Sequence, residues 1–337
     1  MARTAHTSHR QISVPPTRPV PLLAALFAVL LVFAVTGCVT VDGEHTRVAP
    51  LDAREAAQVL AEFDARNNEV YAKRDLALNA QIETGPVGAI DQASLRIMQF
   101  TDPQLTREIP QFTHDQPDFW IPRTIGWPKW FAVHNTPSYP NARPMLLVFT
   151  KQNPDAPWQA AWGPTLRPGE TFPEPYRDAK GHVVEVPADT AGLVVTPRDA
   201  AGALTAYLTD GQAWAGLFAD GPSTTEQRKL REEPVQNGFV RQFIDTPAAH
   251  FPPLAIRTKG GGALVLFAVA HSMKLTVQPP NVLGEIEPEQ QAFMAAPPKK
   301  SVTEHRLTGY AAVVPPVGEG QVRLVATMSG LIGAEGE

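Results

Sequence analysis

The sequence predicts an α+β protein in which two tandem domains, each made of helices followed by a curved antiparallel sheet, come after an N-terminal export signal. Three observations predict this class. An apolar run near the N-terminus ends at Cys38, the only cysteine of the chain. Two stretches with the helical spacing of apolar residues begin near residues 52 and 196. Each of these is followed by short strand-like stretches that are separated by turns.

The first 37 residues have the pattern of an export signal. Arg3, Arg10 and Arg18 precede an apolar run over residues 20–35, and this region contains no acidic residue. A helix that spans a bilayer needs ~20 apolar residues, so the run is too short for a stable span. A basic start, a short apolar run and small residues before the cut are typical of a cleaved signal peptide.

Cys38 directly follows Val35-Thr36-Gly37, and this arrangement resembles the lipobox of bacterial lipoproteins. The resemblance implies cleavage before Cys38 and attachment of acyl chains such as palmitate to the cysteine. We therefore expect an anchor in the cell membrane, with the protein on the extracytoplasmic face. Residues 38–50 would be the tether. The alternative is an uncleaved membrane helix beside an incidental cysteine.

Charge excludes one class of partner. With the three arginines of residues 1–37 removed, the net charge falls from −5 to −8. A protein that binds nucleic acid normally presents a clustered basic face, and this sequence has none. We expect no nucleic-acid partner, and we expect the lipid on Cys38 to hold the protein to the membrane.

Two helix starts carry recognisable capping residues. Asp52 and Glu55 form a capping-box pattern before the apolar positions that follow, and the pattern is predicted to stop at Gly85-Pro86. The second start is predicted at Thr196, with Pro197 in the first helical position and Gly211 at the end. Both helices are structural signals that need no functional explanation.

Strand-like stretches follow both helical segments. In the first half they are 130–135, 144–152, 158–166 and 182–186; in the second they are 254–258, 263–271, 305–314 and 321–329. Residues 259–262 form a Lys-Gly-Gly-Gly turn between two of them. The repeated order of helices and then sheet predicts a first domain at 51–190 and a second at 191–337.

A family resemblance rests on three stretches. Residues 67–75 and 81–91, which include Gln81-Ile82-Glu83-Thr84-Gly85-Pro86, and a later Trp162-Gly163-Pro164 resemble uncharacterised secreted lipoproteins of actinobacteria. No activity comes with that family. The order of elements is similar to the ketosteroid-isomerase-like (nuclear-transport-factor-like) cone fold, which hosts enzymes, ligand binders and dimerisation modules and therefore does not decide function.

Common catalytic and metal-binding motifs are absent from the sequence. There is no phosphate-binding Gly-x-x-x-x-Gly-Lys loop and no Gly-x-Ser-x-Gly nucleophile motif. The histidines at 134, 182, 250, 271 and 305 do not have zinc-ligand spacing. We therefore predict no metal, no cofactor and no catalytic residue.

The densest group of candidate residues is 112–120, where His114 lies beside Asp115 and Asp118. In a cone-type isomerase, a carboxylate in an apolar pocket would face a hydrogen-bond donor, and Asp91, Asp115 or Asp118 with Tyr71 could supply those parts. Three tryptophans, Trp120, Trp127 and Trp130, could line a groove for a ligand. The simpler interpretation is an acidic loop before a core strand.

Three functions follow from these observations. The first, which we favour, is a non-enzymatic lipoprotein whose tandem domains bind a protein or an envelope component. The second is a carrier of a small hydrophobic ligand or lipid, and the third is an isomerase-like or hydrolase-like enzyme. A buried carboxylate with a raised pKa at a pocket would favour the enzyme, and a large apolar cavity would favour the carrier.

Overall fold

A computed structural model describes residues 47–212 and 214–337, which belong to one compact unit. Cys38, the export signal and most of the tether predicted at 38–50 lie outside the described residues.

Three helices open the described chain where the sequence pattern predicts one. They are α1 (Ala53–Lys73), α2 (Leu76–Ile82) and α3 (Gly85–Thr101). The capping box of Asp52 and Glu55 is present, with both hydrogen bonds at 2.8 Å. The continuous pattern hides a break at Arg74, whose φ of +54° ends α1 before Asp75 caps α2. The helical pattern ends at Ile82, in agreement with the stop predicted at Gly85-Pro86. The start of a new helix at Gly85 was not predicted; Pro86 fits its first turn because the missing N–H would have no helical partner there.

Five strands follow in the first half of the chain. They are β1 (His114–Trp120), β2 (Lys129–Pro137), β3 (Met145–Lys151), β4 (Gln159–Trp162) and β5 (Thr165–Leu166). The strand predicted at 182–186 is wrong, since only isolated bridges at Val183 and Glu185 form there.

The second half contains three helices and five strands. In chain order they are α4 (Ala200–Asp210), α5 (Thr225–Glu232), β6 (Phe239–Pro247), β7 (Leu254–Arg257), β8 (Ala263–Val277), α6 (Pro288–Gln291), β9 (Ser301–Val314) and β10 (Arg323–Gly336). The end of α4 at Gly211 is confirmed. Its start predicted at Thr196 is wrong: the Thr196 side chain bonds Asp199, and the helix begins one turn later.

The strands form a ten-stranded sheet in the order β1-β2-β3-β5-β10-β9-β8-β6, with β4 paired to β3 and β7 to β8. The pairings between these strands are antiparallel. The α+β class with an antiparallel sheet is therefore confirmed. The short strand β5 joins the halves, because it pairs with β3 on one side and β10 on the other.

Alternate residues of these strands enter different cores. On β2 and β3, Phe131 and Phe149 pack against the first three helices. Their neighbours Trp130 and Val148 face the other way, toward residues such as Leu264 on β8. The opposite side of the second-half strands packs against α4. Helices therefore cover two outer faces, while the inner faces of the two halves pack together.

Candidate functional site

Of the acidic residues considered from the sequence, only Asp91 lies in a polar cluster with Tyr71. Tyr71 stands near the end of α1, and Asp91 lies in the second turn of α3. Glu83, which directly follows α2, completes this cluster and is 5 % exposed. The chain turns sharply at Arg74 and Gly85, where φ is positive, and these turns bring Tyr71, Glu83 and Asp91 together.

Buried amides hold the Glu83 carboxyl group in place. Asn79 on α2 is fully buried and donates from Nδ2 to Oε2 of Glu83 at 2.8 Å. Gln92 on α3 donates to Asn79 Oδ1 at 2.6 Å and to the Leu76 carbonyl oxygen at 2.7 Å. Buried polar groups are costly when they lack partners, so this network fixes the orientation of Glu83.

Burial governs the protonation of the two carboxyl groups. It raises the pKa of Asp91 to about 6, although hydrogen bonds from Tyr71 and Glu83 act in the opposite direction. Burial, followed by the charge of Asp91, raises the pKa of Glu83 well above its ordinary value. Two close carboxylates resist ionising together, so the pair holds a proton in mildly acidic solution.

Asp91 also lies at the wall of an open groove of about 400 Å³ between α3, α6 and the β9–β10 pair. Its polar lining residues are Asp91, Ser94, Glu287, Glu289, Gln290, Glu304, Arg306 and Ser329. Glu304 is already engaged, since it accepts hydrogen bonds from Gln290 at 2.5 Å and from Arg306 at 3.2 Å. The groove therefore combines a protonatable acid with the carboxylates of Glu287 and Glu289 and one cation, Arg306.

The structure places Asp115 and Asp118 away from this cluster, at exposed positions of β1. Asp118 accepts from the indole of Trp120 at 2.7 Å and pairs with Arg177 at 3.0 Å. The hypothesis that either would join Tyr71 in a pocket is not supported by these positions. Both carboxylates have ordinary surface surroundings.

His114 and the tryptophans have structural positions. His114 is buried and its Nδ1 lies 2.5 Å from Asp64 Oδ1, which ties β1 to α1. Trp120 and Trp130 are 2 % exposed and belong to the core, whereas Trp127 is 45 % exposed. The three tryptophans therefore do not line one groove.

A second polar cluster joins β6, β8 and β9 in a way that sequence spacing did not indicate. His271 Nδ1 lies 2.6 Å from Asp245 Oδ1, and its Nε2 lies 3.1 Å from the Tyr310 hydroxyl. Arg231 on α5 binds both oxygens of Asp245. These partners are adjacent only through strand register, because Asp245 pairs with His271 across β6 and β8.

The partners of Asp245 in this second cluster favour its ionised form. Burial alone would raise the pKa of Asp245, but hydrogen bonds from His271 and Arg231 outweigh it and leave that pKa lowered. Burial raises the pKa of Tyr310 to about 12, so its hydroxyl stays protonated. His271, which appears isolated in the sequence, thus has two side-chain partners.

The described residues contain neither a cluster of metal ligands nor a helix that could cross a membrane. Among them, no group of three or more His, Cys, Asp or Glu side chains is arranged to hold a metal ion. None of the described helices combines the length and apolar character that crossing a membrane requires.

Comparison with known proteins assigns the family. Residues 50–336 match the family described as Domain of unknown function (DUF8094). The chain belongs to this family. The match includes both the Asp91 cluster and the His271 cluster, so each lies within the family domain.

Three Streptomyces proteins are similar along nearly the whole chain. The uncharacterized lipoprotein SCO2278 of Streptomyces coelicolor is 32% identical over 96% of this chain and 98% of its own length. An uncharacterized lipoprotein of Streptomyces avermitilis is 32% identical, with coverage of 94% and 95%. The uncharacterized lipoprotein SCO6871 of Streptomyces coelicolor is 24% identical, with coverage of 88% and 89%. No solved structure gives a significant match.

Proposed function

We propose that this DUF8094 protein is a lipid-anchored, extracytoplasmic binding protein without enzymatic activity. Its signal, residues 1–37, would be removed, and acyl chains on Cys38 would hold it to the cell membrane. Two or more acyl chains suffice for stable anchoring, since each buried methylene contributes roughly 0.8 kcal/mol. The names of the three Streptomyces relatives, all lipoproteins, support this location.

The interior of the protein is filled with side chains. This observation supports the proposal that a partner binds at the outer surface. Phe131 stacks on Phe149 at 5.0 Å and meets Trp158 edge-on at 5.0 Å, between the first helices and the sheet. Between the two halves, the void beside Trp130 and Leu264 is too narrow for a water molecule. A carrier would need an open apolar cavity of several hundred Å³.

The groove beside Asp91 is the surface that we assign to a partner. It is open, and its carboxylates at Glu287 and Glu289 suit a partner that presents amines or other hydrogen-bond donors. An envelope protein with a basic segment has this chemistry. A cone-like shape for each of the segments 51–190 and 191–337 belongs to the same proposal.

One observation favours a second candidate function, acid–base catalysis at Asp91. Its pKa of about 6 lies in the range of a general acid or base, and the residue borders a groove. Its carboxyl group is, however, shared with Tyr71 and Glu83, which leaves less of it free for a substrate.

Two experiments test the proposal. Metabolic labelling with palmitate should mark the full chain and not Cys38→Ser, and the variant should remain uncleaved. If the Cys38→Ser variant were still labelled and bound to the membrane, the proposed anchor would be rejected.

For the groove, a photo-crosslinking residue at Ser94 should capture a discrete partner in intact cells. The same residue at Val317, which is 68% exposed in the β9–β10 turn, serves as the control. Equal capture at both positions, or capture at neither, would reject the groove as the binding surface.

A further inference from the structure

A small apolar patch lies where the chain enters the described domain. Val48, Ile125 and Trp127 are 48%, 43% and 45% exposed, and we name them the anchor-proximal patch. Contiguous exposed apolar side chains, unlike single scattered ones, mark sites of contact with a protein, a ligand or a membrane.

Backbone bonds hold the patch together. Val48 donates to the Thr124 carbonyl oxygen at 3.2 Å, and Thr124 donates back to that of Val48 at 3.1 Å. The buried Lys129 donates to the same Thr124 oxygen at 2.8 Å, and its ammonium lies 6.0 Å from the centre of the Trp127 ring. The β1–β2 loop is thereby fixed against the first described residues.

The chain length between Cys38 and the patch limits where the membrane can be. Residues 39–46 and Arg47 separate Cys38 from Val48. At ~3.6 Å for each fully extended residue, Val48 cannot lie more than about 36 Å from the lipidated cysteine. A domain of this length has a radius of gyration of about 19 Å. The side of the domain opposite Val48 therefore lies much farther from the start of the domain, where the tether is attached, than the patch does.

The chemistry around the patch suits a lipid surface. Tryptophan favours the boundary between headgroups and acyl chains because its ring is apolar and its indole N–H is polar. Arg47 and Arg123 flank the patch, with side chains 45% and 34% exposed, and each faces an acid only at 3.8 Å. Exposed arginines near a membrane are attracted to anionic headgroups.

We propose that the anchor-proximal patch rests on the membrane that holds the lipid, and that Ile125 and Trp127 enter its interface. The inference rests on the proposed anchor at Cys38. It adds an orientation: the β1–β2 loop faces the bilayer, and the rest of the domain faces away. The groove beside Asp91 would then be presented by a domain of fixed orientation.

Fluorescent labels on the full, lipidated protein test this orientation. Because Cys38 is the only cysteine and its thiol carries lipid, an introduced cysteine is the only free thiol. I125C and the control V317C, both at exposed apolar positions, would each carry a polarity-sensitive dye. In vesicles of anionic and neutral phospholipid, we expect a blue shift and protection from an aqueous quencher for I125C only.

The outcomes separate the orientation from the anchor. Protein that floats with the vesicles while both labels respond equally would overturn the orientation and leave the anchor intact. The label at I125C could instead be exposed on vesicles that contain no other protein but shielded in native membranes. That result would indicate a protein partner and would also overturn the orientation. W127S should reduce the I125C response without loss of flotation, with circular dichroism used to confirm folding.

Discussion

Asp91 on α3 shares a side-chain hydrogen bond with the buried Glu83, the residue that directly follows α2, so two carboxyl groups meet at the edge of the groove. Their spacing along the chain does not by itself require this contact, because it depends on how α2 and α3 pack together around the left-handed residue Gly85. The charge state of this pair changes in mildly acidic solution, because the pKa of Asp91 is raised to about 6.

The first prediction concerns pH and Asp91. Folding raises its pKa from 3.8 to about 6, so the folded state holds a proton that the unfolded chain has lost. The resulting stabilisation is complete below pH 4 and disappears as the pH rises through about 6. The rise in the pKa of Asp91, about two pH units, corresponds to about 3 kcal/mol of unfolding free energy at most.

Asp91→Asn removes this proton while keeping a side chain that can accept from Tyr71. We expect the variant to be the more stable protein at pH 7, with a flatter dependence between pH 4 and pH 7. Urea unfolding followed by tryptophan fluorescence measures both. Asp115→Asn, at an exposed carboxylate, should keep the original pH dependence; the same slope in Asp91→Asn would contradict the assignment.

The second prediction compares two Asp–Arg pairs. Asp245 and Arg231 have side chains 2% and 10% exposed, whereas Asp189 and Arg198 are 71% and 63% exposed. Asp245→Asn leaves the buried arginine without its counter-charge, which should cost about 3–5 kcal/mol of unfolding free energy. Asp189→Asn should change stability little, because solvent screens the exposed pair. Equal losses in urea titrations would disprove this difference.

The third prediction concerns Gly85. Its φ is +59°, and a Cβ atom built there would lie 2.9 Å from the Ala161 carbonyl oxygen. Gly85→Ala should therefore cost about 2–4 kcal/mol, from the left-handed conformation and the clash together. Gly169→Ala shares the positive φ but meets open space, so it should cost less. Thermal unfolding of both variants gives the comparison, and equal losses would argue against the clash.

The fourth prediction tests the filled interior. Phe149 is 1% exposed, and Phe149→Ala should destabilise the protein by about 3–5 kcal/mol. The resulting apolar cavity should bind benzene, which would then raise the melting temperature of the variant but not of the unaltered protein. Phe100→Ala, at a half-exposed position, is the control. A benzene response in the unaltered protein would instead favour the carrier function.

Local patterns predicted the elements better than their boundaries. The capping box at Asp52 and the turn at residues 259–262 are correct because each depends on neighbouring residues alone. Strand β6 was not predicted, since its residues alternate between half-buried and exposed positions without a strong apolar face. The break at Arg74 escaped prediction because the apolar spacing continues across it.

The candidate site was predicted only in part. Asp91 and Tyr71 were named from the sequence together with Asp115 and Asp118, but the choice among them depends on which helices pack together. Glu83 lies inside the Gln81–Pro86 stretch that carries the family resemblance, and an acidic residue within that stretch was the available signal. His271 gave no signal, because its partners Asp245 and Tyr310 are distant in sequence and meet through strand register.

The sequence by itself determined the features that depend on local order: the α+β class, the helix caps, and the resemblance to lipoproteins around Cys38. Tertiary structure alone decided that β5 joins the strands of both halves in one sheet and that Asp91 meets Glu83. The physical reason is range. Caps and turns are satisfied by bonds between near neighbours, whereas a raised pKa depends on burial, which only the packed chain supplies.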